Sequence, residues 1–310
     1  LWPVVRKLAP PGAPAGLLVV TSSALGLWVL STLVLVVGTA IPGSLRQLVW
    51  APVVFVGIVM AAWFSRGRLN AWRPPKNFDG RVLMWVLVAL AAAFWLAGAT
   101  RPPGYVGGAD AYDVLEYHLQ VPREHFAAGR IAELEHNCYS YYPLGVEMLF
   151  LLNMCLHGGA YAGMYAAKAA HGMFAVLAVV AVYTALKKDD EARARFATVL
   201  LATVPFAVYL GWLAMVELAE VCYLVLALLW LREWLRRDHA ASAVLVGACL
   251  GAACAVKYLS AGLVAGPVLA VMLLFSLPSG RRLAHFALAG AMTLALFSPW
   301  LVRNAVYTGN

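Results

Sequence analysis

Charge is what this sequence has least of. Only 12% of its 310 residues are Asp, Glu, Lys or Arg, against 63% hydrophobic, where a soluble domain carries about 25% charged residues. That shortage excludes an ordinary soluble globule and places the chain among membrane proteins. Acidic residues are scarcer still, 15 against 23 Lys and Arg, for a net charge of +8. The excess does not mark a nucleic-acid partner, because the basic residues sit in short clusters between apolar runs, as cytoplasmic loops do. Five cysteines supply no disulfide framework. Cys155, Cys222, Cys249 and Cys254 lie in apolar segments as small hydrophobes, and only Cys138 falls in a polar loop. No phosphate-cradling glycine loop, zinc-ligand spacing or nucleophile elbow is present, so those three chemistries have no sequence support.

What the chain does have is apolar runs near the roughly 20 residues that cross a bilayer. They are Ala15–Val37, Leu48–Phe64, Val82–Ala99, Tyr161–Leu186, Phe196–Leu213, Leu218–Leu231, Ser242–Val256, Leu259–Leu277 and Leu283–Trp300. The stretch from Ser242 to Leu277 is too long for one crossing, and Lys257-Tyr258 divides it into a hairpin. An inside N-terminus then puts most of the basic residues in the cytoplasm: Arg6 and Lys7, Arg66, Arg68, Arg73, Lys76 and Arg81, the cluster from Lys187 to Arg195, Arg232, Arg236, Arg237, Arg281 and Arg282. Pro143–His157 is apolar but too short to cross, and a crossing there would reverse every later loop; it reads as a re-entrant or surface-lying helix. The sequence therefore predicts an all-α polytopic transmembrane helix bundle of about nine spans with surface-lying helices in an outer loop. The single domain 1–310 divides into three spans in 1–99, the outer acidic loop and re-entrant helix in 100–160, and six spans in 161–310. The chain starts at Leu1 and stops just after a span, as a piece of a longer protein would.

The densest polar stretch is Gly104–Pro122, with Asp110, Asp113, Glu116 and His118. Charge packed between spans belongs at a water-facing surface, because carboxylates are costly in hydrocarbon. Asp113, Glu116, Tyr117 and Gln120 follow i, i+3, i+4, i+7 spacing, one face of a helix, and Gly104, Gly107 and Gly108 free the backbone to turn into it. Glu124, Glu133 and Glu135 read as solvated loop charges. Nine crossings put this loop, the Glu217/Glu220 turn, the Lys257 turn and Arg303 on one outer face. Lys257 lies between two apolar halves, where a lysine either snorkels or meets an anion. A lone His118 is the usual pattern of a structural hydrogen-bonder, Arg303 that of a boundary anchor, and Tyr139, Tyr141 and Tyr142 that of interface aromatics.

Taken in order, Tyr112-Asp-Val-Leu-Glu-Tyr-His-Leu-Gln-Val-Pro122, Gly129-Arg-Ile131, Tyr141-Tyr-Pro-Leu-Gly-Val-Glu-Met-Leu149, Met215-Val-Glu-Leu218, Val256-Lys-Tyr258 and Ser298-Pro-Trp-Leu-Val-Arg-Asn304 resemble the GT-C superfamily of membrane glycosyltransferases. The likeness is to bacterial members related to protein mannosyltransferases and the aminoarabinose transferase of lipid A. The resemblance implies inverting transfer of a sugar from a polyprenyl-phosphate donor to a hydroxyl of a lipid, glycan or protein acceptor. It places the chain in a bacterial inner membrane, with the site on the outer face. Asp113 matches the acidic residue of the first outer loop, a catalytic base or metal ligand, and Glu217 a second acidic position where relatives more often have Asp. A divalent metal, Mg²⁺ or Mn²⁺, at Asp113 and Glu217 stays open, since some relatives work without one. Lys257, Arg303 and His118 are the candidates for the donor phosphate; Asp110, Glu116, Glu147, Glu220 and Tyr258 are further candidates. The two spans before Val82 depart from the simplest family layout. A secondary transporter or lipid flippase is the rival, although such proteins place ionisable residues near the midplane on broken helices, often with internal repeats, and none is visible here. A noncatalytic membrane scaffold would tolerate loss of Asp113.

Overall fold

The computed structural model describes residues 1–65, 81–102, 112–277 and 279–309. Asp110, the glycines at 104, 107 and 108, and the basic residues at 66, 68, 73 and 76 lie outside the described residues.

Helices make up all the regular structure among the described residues. They are α1 (Trp2–Leu8), α2 (Ala15–Ala40), α3 (Gln47–Ser65), α4 (Arg81–Ala99), α5 (Gln120–Ala128), α6 (Glu147–His157), α7 (Ala160–Leu186), α8 (Glu191–Thr203), α9 (Pro205–Leu210), α10 (Glu217–Arg237), α11 (Ala240–Cys254), α12 (Gly266–Ser276) and α13 (Gly280–Thr308). Four of them are long and apolar enough to cross a membrane: α2, the Val82–Ala99 part of α4, α7 and α13. At 1.5 Å per residue, α2 reaches about 39 Å, ample for a hydrocarbon core. The 21 residues of α10 include Glu217, Glu220, Arg232, Glu233, Arg236 and Arg237 at its two ends, and α11 and α12 have 15 and 11 residues.

Two segments differ from the sequence reading. The run Phe196–Leu213 is not one helix: it breaks between α8 and α9 at Val204, whose ψ of 117° precedes Pro205. Proline's ring excludes the preceding residue from helical geometry, and its missing N–H starts the next helix without loss. Pro143–His157 is not surface-lying either. Its helix α6 is enclosed, with Glu147 through Leu152, Met154 and Cys155 all buried. Both ends of α6 meet the same end of the bundle: Gly145 N–H donates to Ala255 O at 3.0 Å, and Gln47 Nε2 donates to Leu156 O at 2.8 Å.

The bundle has two chemically distinct ends. At one, Arg232 and Arg236 share Asp189, Arg281 and Arg282 share Asp238, and Arg237 donates to the carbonyl of Pro11. This basic end joins the N-terminus, the α7–α8 turn, the α10–α11 turn and the start of α13. At the other end Gly43 N–H bonds Gly129 O at 2.8 Å and Ile131 N–H bonds Gly38 O at 2.9 Å, fastening the loop after α5 to the top of α2.

Between the ends, α10 is the central pillar. Its Tyr223 hydroxyl donates to Ala24 O at 2.9 Å and Trp230 Nε1 to Thr21 Oγ1 at 2.9 Å, satisfying polar atoms that hydrocarbon cannot. Helices α11 and α13 approach backbone to backbone at Gly247 and Gly251. A Cβ at Gly251 would stand 2.5 Å from Thr293 O, and one at Gly247 would collide with Ala289 O. Small residues four apart are what lets membrane helices pack this closely.

Candidate functional site

The acidic loop folds as one turn of wide helix. After Tyr112 and Asp113 the chain runs through a π turn, Val114–His118, before α5 begins at Gln120. The extra residue per turn shifts the register, so the helical face read from the sequence is split: Glu116 is exposed, Tyr117 is buried and Asp113 is half-buried. Asn137 Nδ2 donates to Glu116 O at 3.0 Å and holds the turn from outside. His118, wholly buried, meets Glu147 Oε1 at 2.6 Å through Nδ1, and Glu147 is only 1% exposed. The pair ties the Asp113 turn to the first residue of α6.

Tyr117 is the hub of the cluster. Its ring stacks on Tyr139 at 4.7 Å and lies 4.0 Å from the His118 imidazole. Burial pushes its phenol far above the usual range, and the charges of Asp113, Glu147 and Glu217 push it the same way.

On the other side of that hub stand Glu217 and Lys257. The chain from Leu213 to Leu218 is shaped by His171, whose Nε2 accepts from Leu218 N–H at 3.1 Å while Nδ1 faces Leu213 O at 3.0 Å. A ring that accepts at Nε2 and donates at Nδ1 is neutral. Held this way, Glu217 accepts from Val216 N–H at 3.1 Å through Oε2, and from Lys257 Nζ at 2.5 Å through Oε1. The side chains keep 26% and 28% exposure. Glu220, one turn on, accepts from the Ser260 hydroxyl. Burial alone would lower the Lys257 pKa, but Glu217, Glu220 and Glu147 outweigh it, and its pKa is raised.

Arg303 and His118 are placed away from open solvent. The Arg303 guanidinium, 6% exposed, donates to Tyr142 O at 2.8 Å and to its neighbour Asn304 Oδ1, and lies over the Trp300 ring at 4.7 Å. Asn304 Nδ2 in turn donates to Tyr141 O at 2.5 Å and meets the Tyr258 hydroxyl. Together they staple the Tyr141-Tyr142 backbone to the end of α13. Asn304, Ser260, His171 and Tyr142 are the residues that sequence reasoning missed as parts of the site. Asn304 had a signal, its adjacency to Arg303; the others act through contacts 40 or more residues away.

Both oxygens of Glu217 are engaged, one by an ammonium. Among the described residues no three His, Cys, Asp or Glu side chains gather as a metal-binding group. An apolar cavity of about 240 Å³, lined by Leu218, Gly211, Trp95, Gly172 and Trp85, lies among α4, α7, α9 and α10.

Helices of membrane-crossing length, with ionisable groups gathered at one end and basic ion pairs at the other, define an integral membrane protein with a polar site at its rim. Residues 142–302, just over half of the chain, match the family model of dolichyl-phosphate-mannose-protein mannosyltransferases, and the chain belongs to that family. It is a membrane glycosyltransferase of the GT-C type. Neither a curated protein nor a solved structure matches the chain. The matched segment contains Glu147, Glu217, Glu220, Lys257 and Tyr258, whereas Asp113 and His118 precede it and Arg303 lies one residue beyond.

Proposed function

We propose that this transferase moves a sugar from a polyprenyl-phosphate donor to an acceptor hydroxyl, with inversion, on the non-cytoplasmic side of a bacterial inner membrane. The observation that carries the reading is the Lys257–Glu217 contact at the end of the bundle opposite the basic ion pairs, joined to the turn that carries Asp113 through the ring contacts Tyr117–Tyr142 and Tyr142–Tyr258. Basic loops favour the cytoplasm, so the site end faces out. About nine passes follow if α3, the broken α8–α9 pair, α10, α11 and α12 cross along with the four long helices.

The chemistry is a single displacement. The acceptor oxygen attacks the anomeric carbon while its proton passes to the Asp113 carboxylate. The bond from the anomeric carbon to the phosphate oxygen breaks, and its electron pair leaves with the phosphate. Lys257 stabilises the charge that collects there. A phosphate leaves readily, so no general acid is needed and the paired-carboxyl rule of hydrolases does not apply. Lys257 engages one oxygen of Glu217 and the Val216 N–H the other, so we assign the positive charge to the lysine and route no step through a metal. Arg303 and His118, each buried and bonded within the protein, serve to position the Tyr141-Tyr142 segment and the Asp113 turn. The apolar cavity lined by Leu218, the chain neighbour of Glu217, suits the lipid chain of the donor.

The test is purified protein in lipid, supplied with labelled polyprenyl-phosphate sugars, wild type against Asp113→Asn. Transfer by the wild type and a loss of about 100-fold or more in the variant are expected. Undiminished transfer by Asp113→Asn would remove Asp113 from the mechanism, and solute uptake into vesicles without any transfer would establish a transporter instead.

A further inference from the structure

The displacement chemistry fixes where the sugar must lie. An in-line reaction holds the anomeric carbon between the attacking oxygen and the leaving phosphate, so the sugar ring occupies the gap between Asp113 and Lys257. One side chain bridges the two segments that carry these residues. The Tyr142 ring meets Tyr117, on the turn that carries Asp113, at 6.2 Å and 84°. It meets Tyr258, the chain neighbour of Lys257, at 6.5 Å and 81°.

Tyr142 is open to solvent yet firmly built in. Its side chain is 45% exposed and that of Tyr258 is 37% exposed. Its carbonyl is held by Arg303 at 2.8 Å and the preceding carbonyl by Asn304 at 2.5 Å. A third ring, Tyr139, packs against it at 5.7 Å and 76°. An aromatic that only marks the membrane interface needs no such fastening; spending a buried guanidinium on its backbone makes sense when the ring's position matters.

We infer that Tyr142, with Tyr258 beside it, is the platform of the sugar subsite, stacking against the C–H face of a pyranose. This rests on the transferase reading above and names the residue that recognises the sugar as distinct from its lipid carrier. The C–H bonds on one face of a pyranose carry partial positive charge and complement the negative face of an aromatic ring. Such contact requires the ring and not the phenol hydroxyl. Tyr142→Phe keeps it, and Tyr142→Leu keeps bulk and apolarity but abolishes it.

The experiment compares wild type, Tyr142→Phe and Tyr142→Leu in lipid with two probes: a labelled polyprenyl-phosphate sugar as donor, and the same polyprenyl phosphate without sugar as inhibitor. Expected are transfer within about twofold of wild type for Tyr142→Phe and a fall in kcat/KM of about tenfold for Tyr142→Leu. Inhibition by the sugar-free lipid should be unchanged in both, which also shows that the Leu variant is folded. Should Tyr142→Leu fail to fold, Tyr258→Leu, at the neighbouring ring, carries the same expectation with a smaller loss. Wild-type transfer with undiminished activity in the Leu variants overturns the subsite alone. So does an equal loss of affinity for both lipids, which would make the ring part of the carrier site. Wild type inert toward every polyprenyl-phosphate sugar overturns the transferase reading itself, and the subsite with it.

Discussion

The contact between Lys257 and Glu217 offers the sharpest test, because a structural ion pair and a catalytic cation respond differently to the same double mutant. At the 2.5 Å separation, with an effective dielectric near 20, the gross attraction is about 6–7 kcal/mol. Desolvation and screening take back most of it. Since both side chains keep about a quarter of their exposure, removing one partner costs about 2 kcal/mol, below the 3–5 kcal/mol of a fully enclosed pair. Lys257→Met leaves Glu217 without its counter-ion, and Glu217→Gln leaves Lys257 without one; each single variant should lose about that much stability. In the double variant neither member of the pair is left charged without the other, so thermal unfolding in lipid should recover most of the loss seen in the single variants.

Transfer should not return with it. Losing a cation aimed at the leaving phosphate costs about 100- to 1000-fold in kcat, and restoring the fold supplies no replacement. Lys257→Met and the double variant are therefore expected to be equally slow. A double variant as active as wild type would show that Lys257 serves the fold only and would refute the proposed mechanism. Because the Lys257 pKa is raised, its charged form is favoured by folding. That contribution is fully present below the ordinary lysine value of about 10.4 and fades only as pH climbs past the raised one, so pH 6–9 is a neutral window for the comparison.

Other perturbations probe the packing of the same bundle. Gly247→Leu should separate α11 from α13, lower thermal stability by roughly 1–3 kcal/mol and reduce activity with it; an unaffected unfolding midpoint would contradict the close backbone contact at Ala289. His125 is buried, and burial with the nearby Arg303 charge lowers its pKa to about 4. The unfolded chain therefore binds the extra proton first, and stability should fall, by on the order of 3 kcal/mol, as pH drops from about 6.5 to 4. His125→Phe should flatten that slope in unfolding measured across the range. Glu147→Ala should cost about 1–3 kcal/mol by leaving the buried His118 Nδ1 without its partner, with Glu147→Gln milder because it keeps a hydrogen-bonding oxygen there; equal losses would mean that His118 does not depend on that contact.

The helices were legible because a bilayer demands apolar runs of fixed length, a one-dimensional signal that Ala15–Val37 or Tyr161–Leu186 carries without help from the rest of the chain. Less legible were the places where geometry depends on backbone detail. A proline inside an apolar run left hydropathy unchanged, yet it split Phe196–Leu213 into α8 and α9. The π turn at Val114–His118 inserts a residue that no regular period anticipates, and so a face drawn with 3.6 residues per turn put Glu116 and Tyr117 together when the structure sends one out and the other in. The close approach at Gly247 and Gly251 had a readable pattern of small residues four apart, but nothing in the sequence named α13 as the partner.

For the site, sequence identified the charges and topology identified their end of the bundle, while partner choice is visible only in the folded structure. That choice has a consequence for catalysis. At the basic end cations outnumber acids, with Asp189 shared by two arginines and Asp238 by two more. At the site end Lys257 faces three carboxylates, Glu217, Glu220 and Glu147. A donor phosphate arriving there competes with Glu217 for Lys257 and gains little from it in the ground state. As the glycosidic bond breaks, the phosphate gathers further negative charge and draws the ammonium away from its carboxylate. An interaction weak with the substrate and strong with the departing group lowers the barrier, where equal binding of both would not. On the proposed chemistry, the carboxylate that seems to waste the lysine is what makes its help selective for the transition state.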